Sequence, residues 1–271
     1  QRRFLRKKLV EVEEESLLEI SQRINVGVKA FIRRQYLLAG KAIFFFFLLL
    51  IYLAATGFLS FYTPFAVVSG VFFSSLSAYF GLTAATKANA IIAFLTKKGL
   101  NSALKAGLKG GSVMGFSVCG FGLLDLSMWY LIITLFEPSM PTDELMGVLT
   151  STIITFAFGA SLMAFMARVS GGIFTKTADS AADTVGKGEY GWAEDDPKNP
   201  ATIADNVGDN VSDVAGMGQD LNESYVGGNA AAMEAGYQSF QNYSAVFGSV
   251  ISASLLVTLP LAISVIGIYA S

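Results

Sequence analysis

The stretch IADNVGDNVSDVAGMGQDLNES, residues 203–224, carries a run of carboxylates with no lysine or arginine among them. Its acidic residues are Asp205, Asp209, Asp213, Asp220 and Glu223. At 100° per residue they fall within a stripe about 80° wide on one α-helix. Carboxylates gathered in this way repel one another unless cations neutralise them. The stretch therefore predicts a helix with a cation-binding face.

The preceding segment, ARVSGGIFTKTADSAADTVGK (residues 167–187), predicts a second charged face. Arg168, Lys176, Asp179 and Asp183 again fall within about 80° of one another on a helix. Both stripes could be solvated faces of cytosolic helices. However, the opposite faces are small and apolar and carry few of the basic residues typical of a solvated helix. We therefore expect the two stripes to face each other.

The rest of the chain has the composition of a membrane protein. It is 53% hydrophobic and only 15% charged, whereas soluble domains carry about 25% charged residues. Six segments are apolar over roughly the 20 residues that a bilayer requires: 42–61, 64–86, 111–136, 146–168, 211–233 and 246–269. We predict an all-α, polytopic membrane bundle in residues 42–271, preceded by an amphipathic cytosolic or juxtamembrane helix in residues 1–41.

The basic residues predict the orientation of this bundle. Ten of the 19 lysines and arginines lie in residues 1–41 and five in residues 87–109, whereas the connections 61–64 and 137–144 contain none. Basic loops mark the cytoplasmic side of a membrane. The N-terminus, the 87–110 loop and the region 169–210, which carries the predicted site, are therefore expected in the cytosol.

The residue types restrict the chemistry. The chain has no histidine and one cysteine, Cys119, which excludes zinc sites built on histidine and the Ser-His-Asp triad. Spaced carboxylates with a lysine favour Mg²⁺ holding a phosphorylated anion. Lys176 would contact a phosphate, and an aspartate without metal could activate water. The deeper acids, on the same helix, would suit coupling of hydrolysis to ion movement.

Asp125 lies well inside the third predicted span. An acid within a bilayer is energetically costly and often functional. The sequence shows no partner for it, so a buried polar contact and a functional acid both remain open.

Three motifs resemble the membrane-bound, ion-translocating pyrophosphatases: ARVSGGIFTKTADSAADTVGKGE (167–189), EDDPKNPATIADNVGDNVSDVAGMGQDLNESY (194–225) and GLKGGSVMG (107–115). The resemblance implies a homodimeric pump of sixteen membrane helices in a lipid bilayer, with Mg²⁺ as cofactor and no nucleic-acid partner. Such a pump hydrolyses Mg-pyrophosphate by direct attack of water and moves H⁺ or Na⁺ out of the cytosol. This chain would supply helices two to seven, as a fragment inactive by itself.

The resemblance also implies roles for individual residues. Lys176 would contact pyrophosphate, and Asp213 would activate the attacking water. Asp179, Asp183 and Asp209 would bind Mg²⁺, with Asp205 and Glu194 as further members of the pocket. Arg168, Asp220 and Glu223 would form the ion gate.

Several alternatives stay open at this stage. We favour H⁺ over Na⁺ as the pumped ion, while activation by K⁺ or Na⁺ cannot be read from these residues. The host membrane is either a bacterial inner membrane or that of an acidic organelle, with the active site cytosolic. Remote alternatives are a membrane prenyltransferase, which would need a second aspartate motif, and a Mg²⁺ transporter, which would leave the facing lysine and arginine unexplained.

Overall fold

The computed structural model describes residues 15–247 and 252–270. That part of the chain is built from helices and contains no strand. Its α-helices are α1 Glu15–Ala55, α2 Thr63–Thr96, α3 Leu100–Phe136, α4 Thr142–Asp183, α5 Ala201–Asp209, α6 Met217–Phe247 and α7 Ala253–Ala270. A π-helical turn, Thr184–Glu189, follows α4, and a second π-helical segment, Asn210–Gly216, joins α5 to α6.

Five of the described helical segments are long and apolar enough to cross a membrane. They are Leu17–Ala55, Thr63–Thr96, Leu100–Phe136, Thr142–Glu189 and Ala253–Ala270. The predicted all-helical membrane bundle is therefore confirmed, and the chain is an integral membrane protein. The predicted span 211–233 is helical but is not among these five, because its acids and amides lower its hydropathy.

The first predicted boundary lies inside one continuous helix. Residues 15–41, expected to precede the membrane, and the start of the predicted span 42–61 both belong to α1, which ends at Ala55. A turn at Gly57, whose φ of 77° favours glycine, follows before α2. Residues 1–14 of the predicted N-terminal helix and residues 248–251 of the last predicted span lie outside the described residues.

The described chain forms two compact units, to which the long helices contribute segments in turn. Unit 2 comprises residues 41–76, 118–163 and 221–271. Its core contains large side chains that are almost fully buried, including Leu126, Trp129 and Phe156. A Cβ at Gly159 would meet the backbone of Val67, so α2 and α4 pack there with almost no side chain between them.

Unit 1 comprises residues 1–40, 77–117 and 164–220. Here the end of α4 packs against α5 and the π-helical segment that follows it. A Cβ at Gly208 would lie 2.8 Å from the Cα of Thr175, so the absence of a side chain lets the two backbones approach. On another side, Asn89 of α2 donates a hydrogen bond to the side-chain oxygen of Asn210, at 3.2 Å.

Candidate functional site

Unit 1 contains a cavity of about 290 Å³ where α4, the π-helical turn, the loop 190–200 and α5 meet. We call it the acidic cavity, because six carboxylates line it. Its lining residues are Thr175, Asp179, Ala182, Asp183, Gly186, Lys187, Ala193, Glu194, Asp195, Asn199, Thr202, Asp205 and Asp209. The two predicted charged helices therefore do face each other here.

Asn199 holds the loop in place between the two helices. Its buried amide nitrogen donates a hydrogen bond to the carbonyl oxygen of Ala182 on α4, at 2.9 Å. Its side-chain oxygen accepts a hydrogen bond from the backbone N–H of Ala201, the first residue of α5, at 3.0 Å. One side chain thus fixes the entry to α5 relative to α4.

Five of the residues predicted from the sequence line this cavity: Asp179, Asp183, Glu194, Asp205 and Asp209. They come from α4, from the loop and from α5, so their sequence spacing alone does not make them neighbours. Asp195, which lies in the loop with a φ of 55°, was missed as a lining residue. The sequence did contain a signal for it, since Asp195 is the acid directly after Glu194.

The two lysines near the cavity, Lys176 and Lys187, are placed differently from each other. Lys176 does not line the cavity; its Nζ lies 2.7 Å from Asp179 Oδ2, and its side chain is 79% exposed. Lys187, which sequence reasoning missed, lines the cavity and pairs with Asp183 at 2.9 Å and with Glu194 at 3.3 Å. The signal for Lys187 was its position four residues after Asp183, one helical turn further on.

Asp213 does not line the acidic cavity. It is an exposed residue of the π-helical segment Asn210–Gly216, close enough to Asp209 to repel its carboxylate. The prediction of one carboxylate stripe from Asp205 to Glu223 assumed an uninterrupted α-helix, whereas a π-helical segment separates α5 from α6. A π-helix turns less per residue than an α-helix, so Asp220 and Glu223, which follow this segment, are rotated out of the direction predicted for them.

The carboxylates of the cavity repel one another. Burial raises the pKa of Asp205 above its ordinary value, and the charges of Asp209, Asp179, Asp195 and Asp183 raise it further. Burial also raises the pKa of Asp209, with smaller contributions from Asp213, Asp179 and Asp195. Both shifts have the sign expected for partly buried carboxylates that lie close to one another.

The donor atoms fit a hard divalent cation that is shared with a ligand. Carboxylate oxygens are the ligands Mg²⁺ prefers, and it typically takes one or two of them together with phosphate oxygens and water. Among residues 15–247 and 252–270, no three acidic side chains are gathered closely enough to hold a metal by themselves. The cavity therefore suits cations that enter with an anion better than a cage made by protein alone.

Arg168 and Asp220, two of the residues predicted to form the ion gate, make an ion pair between α4 and α6. Arg168 Nε lies 3.0 Å from Asp220 Oδ2. Glu223, the third predicted gate residue, is half-buried and follows Asp220 by three residues on α6.

A family model for inorganic H⁺ pyrophosphatases matches residues 3–271. The chain belongs to the inorganic H⁺ pyrophosphatase family. The resemblance carried by the three sequence motifs is thereby confirmed.

Within this pyrophosphatase family, the chain is similar to relatives named for two different ions. It is 41% identical over 261 residues to a putative K⁺-stimulated pyrophosphate-energized sodium pump of Bacteroides thetaiotaomicron, covering 93% of this chain and 35% of the relative. It is 40% identical over 229 residues to a K⁺-insensitive pyrophosphate-energized proton pump of Caldanaerobacter subterraneus, covering 81% and 32%. The chain thus spans about a third of the length of the curated relatives it matches.

Proposed function

We propose that this chain forms part of a pyrophosphate-energised ion pump, in which the acidic cavity takes part in binding Mg-pyrophosphate and its hydrolysis drives H⁺ or Na⁺ across the membrane. The observation that carries the proposal is the acidic cavity itself. Six carboxylates surround this cavity of about 290 Å³ at the end of α4. Helix α4 belongs to a segment, Thr142–Glu189, that is long and apolar enough to span a membrane. That volume lies at the lower limit of pockets for organic ligands, which are about 300–1,000 Å³.

The charge of the cavity determines what must enter it. Six carboxylates face Lys187 inside the cavity and Lys176 at its edge, so a free phosphate anion would be repelled. Divalent cations that accompany the anion remove this repulsion. We assign Asp179, Asp183 and Asp209 to the cations, with Asp205 and Glu194 completing the pocket. When bound, Mg²⁺ polarises phosphoryl oxygens and neutralises their charge.

The two lysines are the groups that can hold phosphate oxygens directly. Each is paired with carboxylates: Lys176 with Asp179, and Lys187 with Asp183 and Glu194. Once cations occupy those carboxylates, both ammonium groups are free to donate to the anion. We therefore keep Lys176 as a phosphate contact and add Lys187.

Asp213 is the candidate for activation of the attacking water. It stands outside the lining residues and next to Asp209, so it can remain free of metal while lying near one. A free carboxylate near the reacting phosphorus can orient a water and accept its proton. Its place in a π-helical segment also fits, since such segments are frequent at functional sites.

The continuity of α4 supports coupling between hydrolysis and transport. Arg168 lies eight residues before Lys176 on the same helix, a rise of about 12 Å, and pairs with Asp220. A movement of α4 or α6 when the cavity empties would therefore alter this pair. Glu223, further along α6, would carry the ion or a proton onward.

The two remote alternatives differ in their products. A membrane prenyltransferase would make a lipid product, and a Mg²⁺ transporter would conduct Mg²⁺ without hydrolysis. Neither accounts for Lys187 between Asp183 and Glu194 as directly as a phosphate anion does. The curated relatives are named pyrophosphate-energised pumps, which favours the pump.

The test uses a full-length chain, meaning one of the length of the curated relatives that contains these residues. Reconstituted in vesicles with Mg²⁺ and pyrophosphate, it should release phosphate and transport H⁺ or Na⁺. Lys176→Ala and Asp179→Ala should each abolish both activities. Asp143→Asn is the matched control, since Asp143 is an exposed acid in the first turn of the same helix. Full phosphate release by the Asp179→Ala variant would refute the assigned site.

The transported ion needs its own measurement. Relatives named for sodium and for protons are 38–41% identical to this chain, so these identities do not favour either ion. We propose H⁺ as the transported ion, and measurement of ion uptake into vesicles with and without Na⁺ tests this proposal. The same assay with and without K⁺ will show any activation by K⁺.

We further propose that the active protein is a homodimer with the acidic cavity on the cytosolic side of a bacterial inner membrane or an acidic organelle membrane. The basic residues near the N-terminus and in 87–109 support the orientation. Accessibility of the exposed Lys198 to a membrane-impermeant amine reagent, applied from either side, tests it.

A further inference from the structure

Asp125 of α3 is completely buried in unit 2, with 0% of its surface exposed. It lies beside Leu126 in the sequence of a helix apolar enough to span a membrane. Neither of its carboxyl oxygens has a hydrogen-bond partner among the described residues. No charged side chain in the described part of the chain acts on it. An ionised carboxylate in this position would be very costly.

Two polar side chains are close enough to act on the Asp125 carboxyl: Ser69 of α2 and Trp129, one turn further along α3. The Ser69 hydroxyl lies 2.9 Å from the carbonyl oxygen of Ala66. The Trp129 indole Nε1 lies 2.9 Å from Ser69 Oγ. A carbonyl oxygen can only accept and an indole N–H can only donate, so the direction of both hydrogen bonds follows from the chemistry alone.

Both neighbouring donors are therefore already engaged. Ser69 gives its proton to Ala66, and Trp129 gives its proton to Ser69. A carboxylate at Asp125 can only accept, so it would have to draw one of these protons away from Ala66 or Ser69. Among the described residues its oxygens have no hydrogen-bond partner, and burial without a partner disfavours the ionised form.

We propose that Asp125 is a proton-binding site within the membrane bundle, occupied by a proton in the arrangement described here. Ser69 is the neighbour that can supply a hydrogen bond when the proton is released, provided that its hydroxyl leaves the Ala66 carbonyl and turns toward the carboxylate. Ser69 and Asp125 thus form a two-position hydrogen-bond switch.

No other titratable group in the described part of unit 2 supplies a positive charge that could neutralise the Asp125 carboxylate in place of a proton. The Tyr62 ring contacts Trp129 edge-on, but its hydroxyl donates to Glu137 at 3.0 Å. Tyr225 and Cys119 lie near each other on another part of the helix surface, with Tyr225 beside Ser264. None of these groups acts on the Asp125 carboxyl, and no charged side chain of the described residues does so.

A protonated carboxyl in an apolar environment is also a modification site. An apolar carbodiimide adds the acid O–H across one of its C=N bonds, so the whole reagent stays attached and nothing is released. A carboxylate in water has no such proton. Asp125 should therefore react with a membrane-soluble carbodiimide, whereas exposed acids in the same unit should not.

The first experiment labels the full-length chain in bilayers with dicyclohexylcarbodiimide and measures the modified peptides by mass spectrometry. The peptide containing Asp125 should be labelled at least about tenfold more than the one containing Glu144, an exposed acid of α4. Equal labelling, or protection of Asp125 by Na⁺ at constant pH, would overturn the proposal, since the second result indicates a bound cation instead of a proton.

The second experiment uses infrared spectroscopy and requires no reagent to reach the site. The full-length chain should show the carbonyl stretch of a protonated carboxyl that Asp125→Asn removes. Ser69→Ala should shift this band because it removes a polar side chain that acts on the carboxyl. Ser151→Ala should not, although Ser151 also donates to a backbone carbonyl three residues earlier, at 2.9 Å. Absence of any protonated-carboxyl band from the unaltered protein would refute the proposal, and this outcome does not depend on how well the variants fold.

Discussion

Arg168 of α4 and Asp220 of α6 are joined by an ion pair, with Nε and Oδ2 3.0 Å apart. The guanidinium is half exposed and the carboxylate about one-third exposed. Solvent screening reduces such a pair to at most about 1 kcal/mol of stability. The pair is therefore poorly suited to holding the fold together and better suited to changing partners during a transport cycle.

We expect Asp220→Asn in a full-length chain to reduce ion transport more than it reduces the stability of the protein. The substitution removes the charge and leaves the shape of the side chain almost unchanged. Transport per phosphate released, measured in vesicles, should fall, while the thermal unfolding midpoint should change little. The control is Glu19→Gln, which removes an exposed ion pair with Arg23 on α1. An unchanged ratio of transport to hydrolysis in Asp220→Asn would exclude that residue from the gate.

Lys187→Met should lower kcat/KM for pyrophosphate about a hundredfold, the usual effect of losing one donor to a reacting oxyanion. The substitution also leaves Asp183 and Glu194 without their lysine, so a higher Mg²⁺ concentration should restore part of the activity. Lys198→Met is the matched control, because Lys198 is exposed in the same loop region but does not line the cavity. If Lys187→Met keeps the kcat/KM of the unaltered protein, as Lys198→Met is expected to do, Lys187 has no role in binding the anion.

The sequence predicted most of the fold because membrane spans are long and their apolar pattern is strong. The exception is the predicted span 211–233, in which Asp213, Asp220 and Glu223 interrupt the apolar pattern. Hydropathy could not decide this segment, since a helix that carries several acids among apolar residues has the features of both a membrane span and a solvated helix. The predicted boundary after residue 41 falls within α1, whose backbone continues through that position without a break.

The site was predicted in its composition but not in its arrangement. Helical spacing placed Asp179 and Asp183 on one face, and both line the cavity because they lie on α4 before its π-helical turn. The same spacing could not place Asp220 and Glu223, because no local sequence rule indicated the π-helical segment before them. Lys187 was missed for a similar reason, since its contact with Glu194 depends on the loop fixed by Asn199.

The raised pKa values of Asp205 and Asp209 predict how Mg²⁺ stabilises the protein. A carboxyl whose folded pKa is raised costs stability when ionised, so metal-free protein should lose stability as pH rises from the ordinary carboxyl pKa through the folded one. Mg²⁺ neutralises the ionised pair and reverses this loss. The gain in unfolding temperature on adding Mg²⁺ should therefore be larger at about pH 7.5 than at about pH 5.

The control for this pH dependence again lies on α4. Asp205→Asn and Asp209→Asn should each reduce the difference in Mg²⁺ stabilisation between the two pH values, whereas Asp143→Asn should leave it unchanged, because Asp143 is an exposed acid far along the helix from the cavity. Equal stabilisation by Mg²⁺ at both pH values in the unaltered protein would mean that these carboxylates do not bind the cation.

Gly208→Ala should destabilise the acidic cavity by separating the helices that form it. The new methyl group would lie 2.8 Å from the Cα of Thr175, a backbone atom that cannot rotate away. Overpacking of this kind costs about 1–3 kcal/mol, which exceeds the roughly 0.5–1 kcal/mol that alanine gains over glycine in a helix. The matched variant is Gly172→Ala on α4, where no described atom lies within 4 Å of the added methyl group. Thermal unfolding should therefore show a lower midpoint for Gly208→Ala and an equal or higher one for Gly172→Ala.

Since Asp205 and Asp209 lie close to Gly208 in the sequence, Gly208→Ala should also need more Mg²⁺ for half-maximal hydrolysis. A normal Mg²⁺ requirement combined with a lower midpoint would show that α4 and α5 can separate without disturbing the carboxylates, and the cavity would then not depend on their close contact.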